Sequence, residues 1–492
     1  MKSLLRVMIG FACLGPHLHC VPSVHGEAPL LRMRELLDAG SLDEKVLSDW
    51  HTVPGDVPTR QKLVSIRVGE LVPGREYRVP VRMIVPVGRK ASGFHLTGGH
   101  RPASIQRDAR PRGVDRELLR GGVGLVFTVV QELGSVGQAE LGQAAFRRFI
   151  KTLDPRHSVQ YWGWPAALIR AVTAAYAETE HFEPGKVAVT GASKNGASPS
   201  VALLHDRRMT ALHSSVAPIW DSPLRLCDRT AWKNLQAANQ RYVRGLQAAN
   251  RRVNPRRLLN HRFLGGTFGP VYNSQAMAAG HNWDDLRRLA HRMKDHVFVA
   301  RHLKTLASRN VDLCFHPGTH DFVAFDMAWG GRHHPGIPIY LRVNSGHGKS
   351  RRHPYAETDE QNKPAFLLRH FFKGVAAPLT PPSVTTRVDG QRLLVTVTFE
   401  PGSVSESGRI WWMFDRGPDG SAAYINELFP SDQWKDMTSD SKTNSWSTTI
   451  PIETGASHID FFSNHRKTVT YRSVNYSSYR SSPYTRVSLG RN

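Results

Sequence analysis

Between residues 93 and 343 the chain alternates short runs of β-branched and apolar residues with longer helical patterns, and this alternation limits the fold more than any other feature of its 492 residues. Residues 93–96, 124–130 (GLVFTVV), 186–190 (KVAVT), 213–219 (HSSVAPI), 311–315 (VDLCF) and 337–343 (IPIYLRV) read as buried strands. Residues 164–177 carry a clear helix pattern among them. Parallel neighbours need crossover connections, and helices supply them, so the expected core is a mostly parallel, doubly wound sheet with helices on both faces. Two alternating runs precede the series, at 62–68 (KLVSIRV) and 77–85 (YRVPVRMIV).

The flanks have other patterns. Residues 27–60 read as helix-like and loop-like polar sequence, with LLRMRELLDAG the clearest amphipathic piece. Residues 222–293 are longer and more polar than one crossover needs, which predicts a helical insertion or cap over the sheet's C-terminal edge. A helix at 363–372 closes the first domain, spanning 27–374. Residues 375–383 (VAAPLTPPS) have linker composition, because proline continues neither a helix nor a ladder. From 384 to 492 short strands recur without helices (LLVTVTF, RIWWMF, SWSTTIPI, HIDFFS), the pattern of a small all-β sandwich. Trp411, Trp412 and Trp434 in it suggest glycan binding, although strand aromatics more often serve a core.

Residues 1–26 read as a signal peptide, with Lys2 and Arg6 before the apolar run VMIGFACL, and Val24 and Gly26 placed for cleavage before Glu27. The expected location is secreted or periplasmic. No run is long enough to span a bilayer, and integral membrane association is not expected. Cys13 and Cys20 would leave with the leader. Cys227 and Cys314 are then either one disulfide or two buried thiols, alternatives that sequence leaves open.

Lys and Arg number 65 against 41 Asp and Glu, a formal charge of +24. Such a field attracts polyanions. The arginines are dispersed and no nucleic-acid-binding motif accompanies them, so an anionic polysaccharide or plain basicity is expected rather than nucleic acid. No CxxC or HExxH spacing occurs, and neither metal nor organic cofactor is expected.

The segment VAVTGASKNG carries the chemistry. A β-branched strand meets Gly-x-Ser and an apolar helical run follows, which is the arrangement of the nucleophile turn in α/β-hydrolases. Ser193 is the candidate nucleophile; the competing role is a helix N-cap. The small residues Gly191 and Gly196 permit a sharp backbone there, although the second glycine stands three residues after the serine rather than two.

A serine hydroxyl needs a base with an acid behind it, in the chain order Ser, acid, His for this fold. Asp321 lies on the loop after VDLCF, and His347 in NSGHG after IPIYLRV. Asp221 and then Asp326 are rival acids; His316 and His320 are rival bases. For the oxyanion, backbone N–H groups of Gly98, Gly99 and Lys194 are the candidate donors.

These motifs resemble the PhoPQ-activated pathogenicity-related protein family. The shared features are VAVTGASKNG, the aspartate after SVAPIW, the GTHD loop and the SGHG loop, within roughly residues 60–465. The resemblance implies an α/β-hydrolase fold with Ser193, an acid in the GTHD loop and a late histidine. Asn195 and Ala197 depart from the family's usual basic and bulky residues, which bears on pocket shape. The elbow is also similar to the GCSRxG form of glucuronoyl esterases, in which a basic residue follows the serine; Lys194 occupies that place. The expected function is a serine esterase acting on an acidic carbohydrate ester. The alternatives are a serine peptidase on the same fold and a non-catalytic protein that binds anionic glycans.

Overall fold

The computed structural model describes residues 29–130, 138–252, 274–347 and 353–490. The expected leader, with Cys13 and Cys20 and the cleavage point before Glu27, lies outside them.

Strands β1 (Lys45–Val53), β2 (Thr59–Val72), β3 (Arg75–Pro86), β4 (Ala91–Thr97), β5 (Gly124–Thr128), β6 (Phe182–Ala192), β7 (Ala211–Ser215) and β8 (Asp312–Phe315) form one sheet in the order β1-β2-β3-β5-β4-β6-β7-β8. From β5 through β4, β6 and β7 to β8 every pairing is parallel. The β1–β2, β2–β3 and β3–β5 pairings are antiparallel, so the sheet is mixed.

Alternate residues of the central strands feed two cores. Val126, Val187 and Val189 pack with helices Trp164–Ala177 and Lys194–His205 on one face. Leu125, Phe127 and Ala188 pack with Leu118, Leu119, Phe366 and Leu367 on the other. With helices on both faces, and the central strand β6 running through Gly-x-Ser into a helix, this is the α/β-hydrolase fold.

Three expectations need correction. Residues 45–53 form β1 rather than helix or loop, and helix is confined there to Met33–Leu37 and the single 3₁₀ turn Ala39–Ser41. β1 is an edge strand whose first six residues are mostly exposed, so its sequence lacks the apolar alternation that marks a half-buried strand. Its register to β2 also shifts at Val46/Ser48 and at Ser48/His51. Residues 337–343 are not a continuous strand: they run parallel to β8 and the loop after it through the bridges Phe315–Ile339 and Gly318–Arg342, with Tyr340 N–H donating to Phe315 O (2.8 Å) and Arg342 N–H to Pro317 O (3.0 Å). Pro338 has no N–H to give. The outer side of this segment is taken by the C-terminal domain, where Ser481 donates its N–H to Ile339 O (2.9 Å) and accepts from Leu341 N–H through its Oγ (2.6 Å). β7 likewise stops at Ser215, short of the expected 219.

The all-β part has β9 (Ser383–Asp389), β10 (Arg392–Thr398), β11 (Ser407–Phe414), β12 (Trp434–Asp436), β13 (Thr438–Asp440), β14 (Ser445–Pro451), β15 (His458–Tyr471), β16 (Val474–Ser481) and β17 (Thr485–Ser488). They form two antiparallel sheets, β13-β14-β10-β9 and β12-β11-β15-β16, with β17 on β15. Trp411 and Trp412 are buried on opposite faces of β11. Trp412 packs inside the sandwich with Leu393 and Ile450, whereas Trp411 joins the core that holds Ile339 and Leu341 of the first domain. One continuous apolar core therefore crosses the domain boundary.

In the insertion, helix Trp283–Val297 packs on helix Lys194–His205. Helix Arg229–Ala248 reaches the C-terminal part, where Asn239 Oδ1 accepts from Ala422 N–H at 2.7 Å. Cys227 and Cys314 are both buried and form no disulfide with each other. Among the described residues no helix is long and apolar enough to cross a membrane.

Candidate active site

β6 delivers Ser193 to the C-terminal edge of the sheet, and helix Lys194–His205 starts at the next residue. Ser193 has φ 55° and ψ −129°, a conformation that an L-residue adopts only when its surroundings force it. The flanking glycines supply the force. A Cβ on Gly191 would stand 2.0 Å from Asn195 O, and one on Gly196 would stand 2.5 Å from Ser214 Oγ. Backbone leaves no room for a side chain at Gly191, and at Gly196 both Ser214 Oγ and the Gly191 carbonyl oxygen (2.9 Å) crowd the place of a Cβ.

The N-cap role fails for Ser193, because its side chain makes no capping hydrogen bond. Its Oγ lies 2.5 Å from Nε2 of His347 instead. Nδ1 of His347 lies 2.9 Å from Oδ1 of Asp321. With Nδ1–H donated to the carboxylate, Nε2 is left to accept the serine proton. Asp321 is 2% exposed and also accepts from Val323 N–H at 2.9 Å, which fixes the carboxylate while it caps the turn Phe322–Ala324. The Phe322 ring, 4.6 Å from the His347 ring, covers one side of the imidazole.

The acid and base loops are joined to each other. His320 N–H donates to Ser345 O (2.9 Å) and Asn344 N–H to Thr319 Oγ1 (2.9 Å). A Cβ on Gly318 would meet Ser345 O at 2.1 Å, so the loops touch backbone to backbone.

The rival residues are engaged elsewhere. Asp221 accepts from Arg301 (2.7 Å) and is paired with His334 (2.8 Å). Burial opposes its ionisation, but the hydrogen bonds from His334 and Arg301 outweigh that and hold its carboxyl at about 2. Asp326 is buried under Arg225, whose Nε and Nη2 donate at 2.7 and 3.0 Å, and takes a further bond from Ser222 Oγ at 2.6 Å. Burial holds His316 well below the usual imidazole range. His320 donates from Nε2 to the Glu427 carbonyl, and burial lowers it to about 3.

Of the oxyanion candidates, Lys194 follows Ser193 directly in the chain and Gly99 packs on the side chain of Asn195, two residues past the serine. Lys194 is the first helical residue, so its N–H has no acceptor within the helix. Gly98 and Gly99 turn back along β5, with Val130 N–H donating to Gly98 O (3.1 Å) and His100 N–H to Thr128 O (3.4 Å). Gly99 faces Val129 between those bonds, as a non-hydrogen-bonded pair, so its own N–H points away from β5. A Cβ on Gly99 would lie 3.0 Å from the Asn195 amide nitrogen, which brings this turn against the start of the nucleophile helix.

Sequence reasoning missed several neighbours. Trp164, taken only as a helix start, carries the Lys194 ammonium 5.6 Å from its ring centroid. Asn195, noted in the sequence only as a departure from the family pattern, is buried, and its Oδ1 has no hydrogen-bond partner among the described residues. Asn344 and Arg416 support the loops of His347 and Asp321. Nothing in the local sequence marks them, because their partners lie far along the chain. Among the described residues no group of His, Cys, Asp and Glu is placed to hold a metal ion.

No protein-family model matches the chain, and no curated protein does. Among solved structures it is similar to a glucuronoyl esterase from Teredinibacter turnerae, with 15% identity over 37% of this chain and 46% of that one (TM-score 0.26). A glucuronoyl esterase from Solibacter usitatus matches with 15% identity over 36% of this chain and 52% of that one (TM-score 0.23). The acylaminoacyl peptidase of Pyrococcus horikoshii matches with 12% identity over 62% of this chain and 46% of that one (TM-score 0.29). The chain thus spans about half the length of these enzymes. Similarity at this level says nothing about the reaction.

Proposed function

We propose that the protein is a serine esterase in which Ser193 is the nucleophile, His347 the general base and acid, and Asp321 the residue that orients the imidazole. The observation that carries this reading is the continuous path from Ser193 Oγ to His347 Nε2 (2.5 Å) and from His347 Nδ1 to Asp321 Oδ1 (2.9 Å), on a serine held at positive φ. Ser193 Oγ attacks the acyl carbon while His347 Nε2 takes its proton. The negative charge on the carbonyl oxygen meets the N–H groups of Lys194 and of Gly98 or Gly99. His347 returns the proton to the departing alcohol. Water, deprotonated by the same nitrogen, then releases the acid and restores the serine.

The proposed substrate class is an ester of an acidic carbohydrate. The Lys194 side chain, exposed beside the nucleophile and spread over Trp164, favours substrates that carry carboxylates near the reacting ester. The formal charge of +24 would draw such polyanions to the surface. Export, expected from residues 1–26, fits a polymer met outside the cell, and the motif resemblance to the PhoPQ-activated pathogenicity-related proteins fits the same catalytic residues.

The deciding experiment is labelling with a fluorophosphonate probe, wild type beside Ser193→Ala, followed by turnover of methyl esters of glucuronate and galacturonate oligomers. Labelling lost in the variant, with ester turnover in the wild type, is the expected result. A folded wild type that takes no label and hydrolyses no ester refutes the reading, and cleavage of peptides in place of esters moves it to the peptidase class.

A further inference from the structure

We infer that the C-terminal β domain sets the geometry of the acid and base loops, with Asn344 and Arg416 as positioning residues for His347 and Asp321; the inference rests on the catalytic reading proposed above. In a sheet of this kind, the strand before each loop ordinarily fixes where the loop starts. Here residues 337–343 bond along β8 and the loop after it on one side, with Tyr340 N–H donating to Phe315 O and Arg342 N–H to Pro317 O, while their other side meets Ser481 of the β domain. The β domain adds contacts to the His347 loop beyond those the sheet supplies.

Residues 416–429 reach across from the second domain. The Asn344 side chain, 6% exposed, pairs with the backbone of Phe429 in both directions: Nδ2–H donates to Phe429 O (2.9 Å) and Phe429 N–H to Oδ1 (2.8 Å). Asn344 precedes His347 by three residues. Arg416, fully buried, donates from Nη2 to Thr319 O at 2.7 Å, two residues before Asp321. His320, between them, donates to the Glu427 carbonyl. One stretch of the β domain therefore grips both loops within three residues of the groups that must meet.

Arg416 is a costly way to hold a carbonyl, because burying a cation strips it of its hydration. The surroundings offset that loss. Nε donates to Tyr424 O (2.9 Å) and Nη1 to the Tyr484 hydroxyl (2.6 Å), which in turn donates a hydrogen bond to Asp460 Oδ2 (2.7 Å). The guanidinium carbon lies 3.8 Å from the centroid of the Tyr424 ring. The sandwich could bury an apolar side chain at this position; what the arginine adds is the bond into the other domain. Neither Asn344 nor Arg416 touches Ser193, so both act through the residues they hold.

Asn344 gives the cleaner test. It has φ 52°, so Asn344→Gly retains the backbone conformation and deletes only the amide pair with Phe429. Asn344→Asp tolerates the same φ and keeps an acceptor for Phe429 N–H, serving as the conservative comparison. Two readouts apply to the full-length protein: the low-field proton resonance of the His347 Nδ1–H bonded to Asp321, assigned by its absence in His347→Gln, and the fluorophosphonate labelling rate per folded molecule. In Asn344→Gly the resonance should be lost or move upfield, and labelling should slow by about 10–100-fold, the usual cost of misplacing a catalytic group by an ångström. Asn344→Asp should fall between, and Arg416→Lys repeats the test if the glycine variant fails to fold. The inference is overturned if Asn344→Gly keeps both the resonance and the wild-type labelling rate, or if the wild type shows no such resonance. A wild type with the resonance but with neither labelling nor ester turnover refutes the hydrolase and leaves the inference to be judged on the resonance alone.

Discussion

Gly191 and Asn195 are packed so closely that a Cβ on the glycine would stand 2.0 Å from the asparagine's carbonyl oxygen. The contact closes the turn around Ser193 and leaves one residue type acceptable at 191. Gly191→Ala should therefore lower stability by about 1–3 kcal/mol, the range for overpacking. It should also slow fluorophosphonate labelling at least tenfold, because relief comes only by moving the helix start away from His347. A melting curve beside a labelling time course reads both effects.

The choice of acid is open to a direct comparison. Asp321→Asn should lower kcat by about 10⁴-fold with little loss of folding, since the amide favours the wrong imidazole tautomer. Asp221→Asn should leave kcat within a few-fold and lower Tm, because Arg301 and His334 lose their shared carboxylate. The opposite ranking of kcat would transfer the acid role to Asp221.

Lys194 should govern substrate charge rather than chemistry at the acyl carbon. Lys194→Glu should lower kcat/KM about tenfold more for an ester flanked by free carboxylates than for a neutral ester of the same alcohol, a difference of about 1.4 kcal/mol. The discrimination should shrink as salt is raised from 0.05 to 0.5 M, because the ammonium is exposed. Equal losses on both esters would remove Lys194 from specificity.

Stability should fall on mild acidification. Burial holds His213 and His465 at about 3, against about 6.5 in the unfolded chain. For a histidine whose folded pKa is depressed, the unfolded state binds more protons below 6.5. The stability these groups contribute is thus whole above pH 6.5 and is lost as pH falls towards 3, at up to about 1.4 kcal/mol per unit for each. Asp419, raised to about 7 by burial, works oppositely between 3.8 and 7 and offsets part of the loss. Tm measured from pH 7.5 to 4.5 should decline, less steeply in His465→Gln and more steeply in Asp419→Asn. A flat profile would contradict the assignment.

What could be read in the sequence follows from how local each signal is. The strands 124–128 and 186–190 and the helix Trp164–Ala177 were visible because burial on both faces, or along a whole helix, leaves unbroken apolar runs. Ser193, Asp321 and His347 were visible because chain order and loop position after successive strands are themselves sequence features, and the structure brings the three side chains together. β1 was hidden because an exposed edge strand carries no periodic burial, and 337–343 misled because apolar composition does not distinguish a strand from a segment wedged between two domains. Trp411 shows the limit of composition: the same residue type suits a binding surface or a core, and only its packing against the first domain decides for the core. Asn344 and Arg416 were beyond reach, since each acts on a partner that is distant in the chain.

The register shifts in β1 bear on how the protein behaves in company. An open strand at the rim of a large sheet is a template on which another chain can add itself, and repetition of that step builds aggregates. β1 exposes Val46 and Leu47 at this rim, yet its bulges at Val46/Ser48 and Ser48/His51 break the even spacing of free N–H and C=O groups that an incoming strand must match. At the opposite rim the protein's own Ser481 occupies the place a foreign strand would take. The sheet is thus terminated at one end by irregularity and at the other by self-complementation, so neither rim presents an incoming strand with an evenly spaced edge.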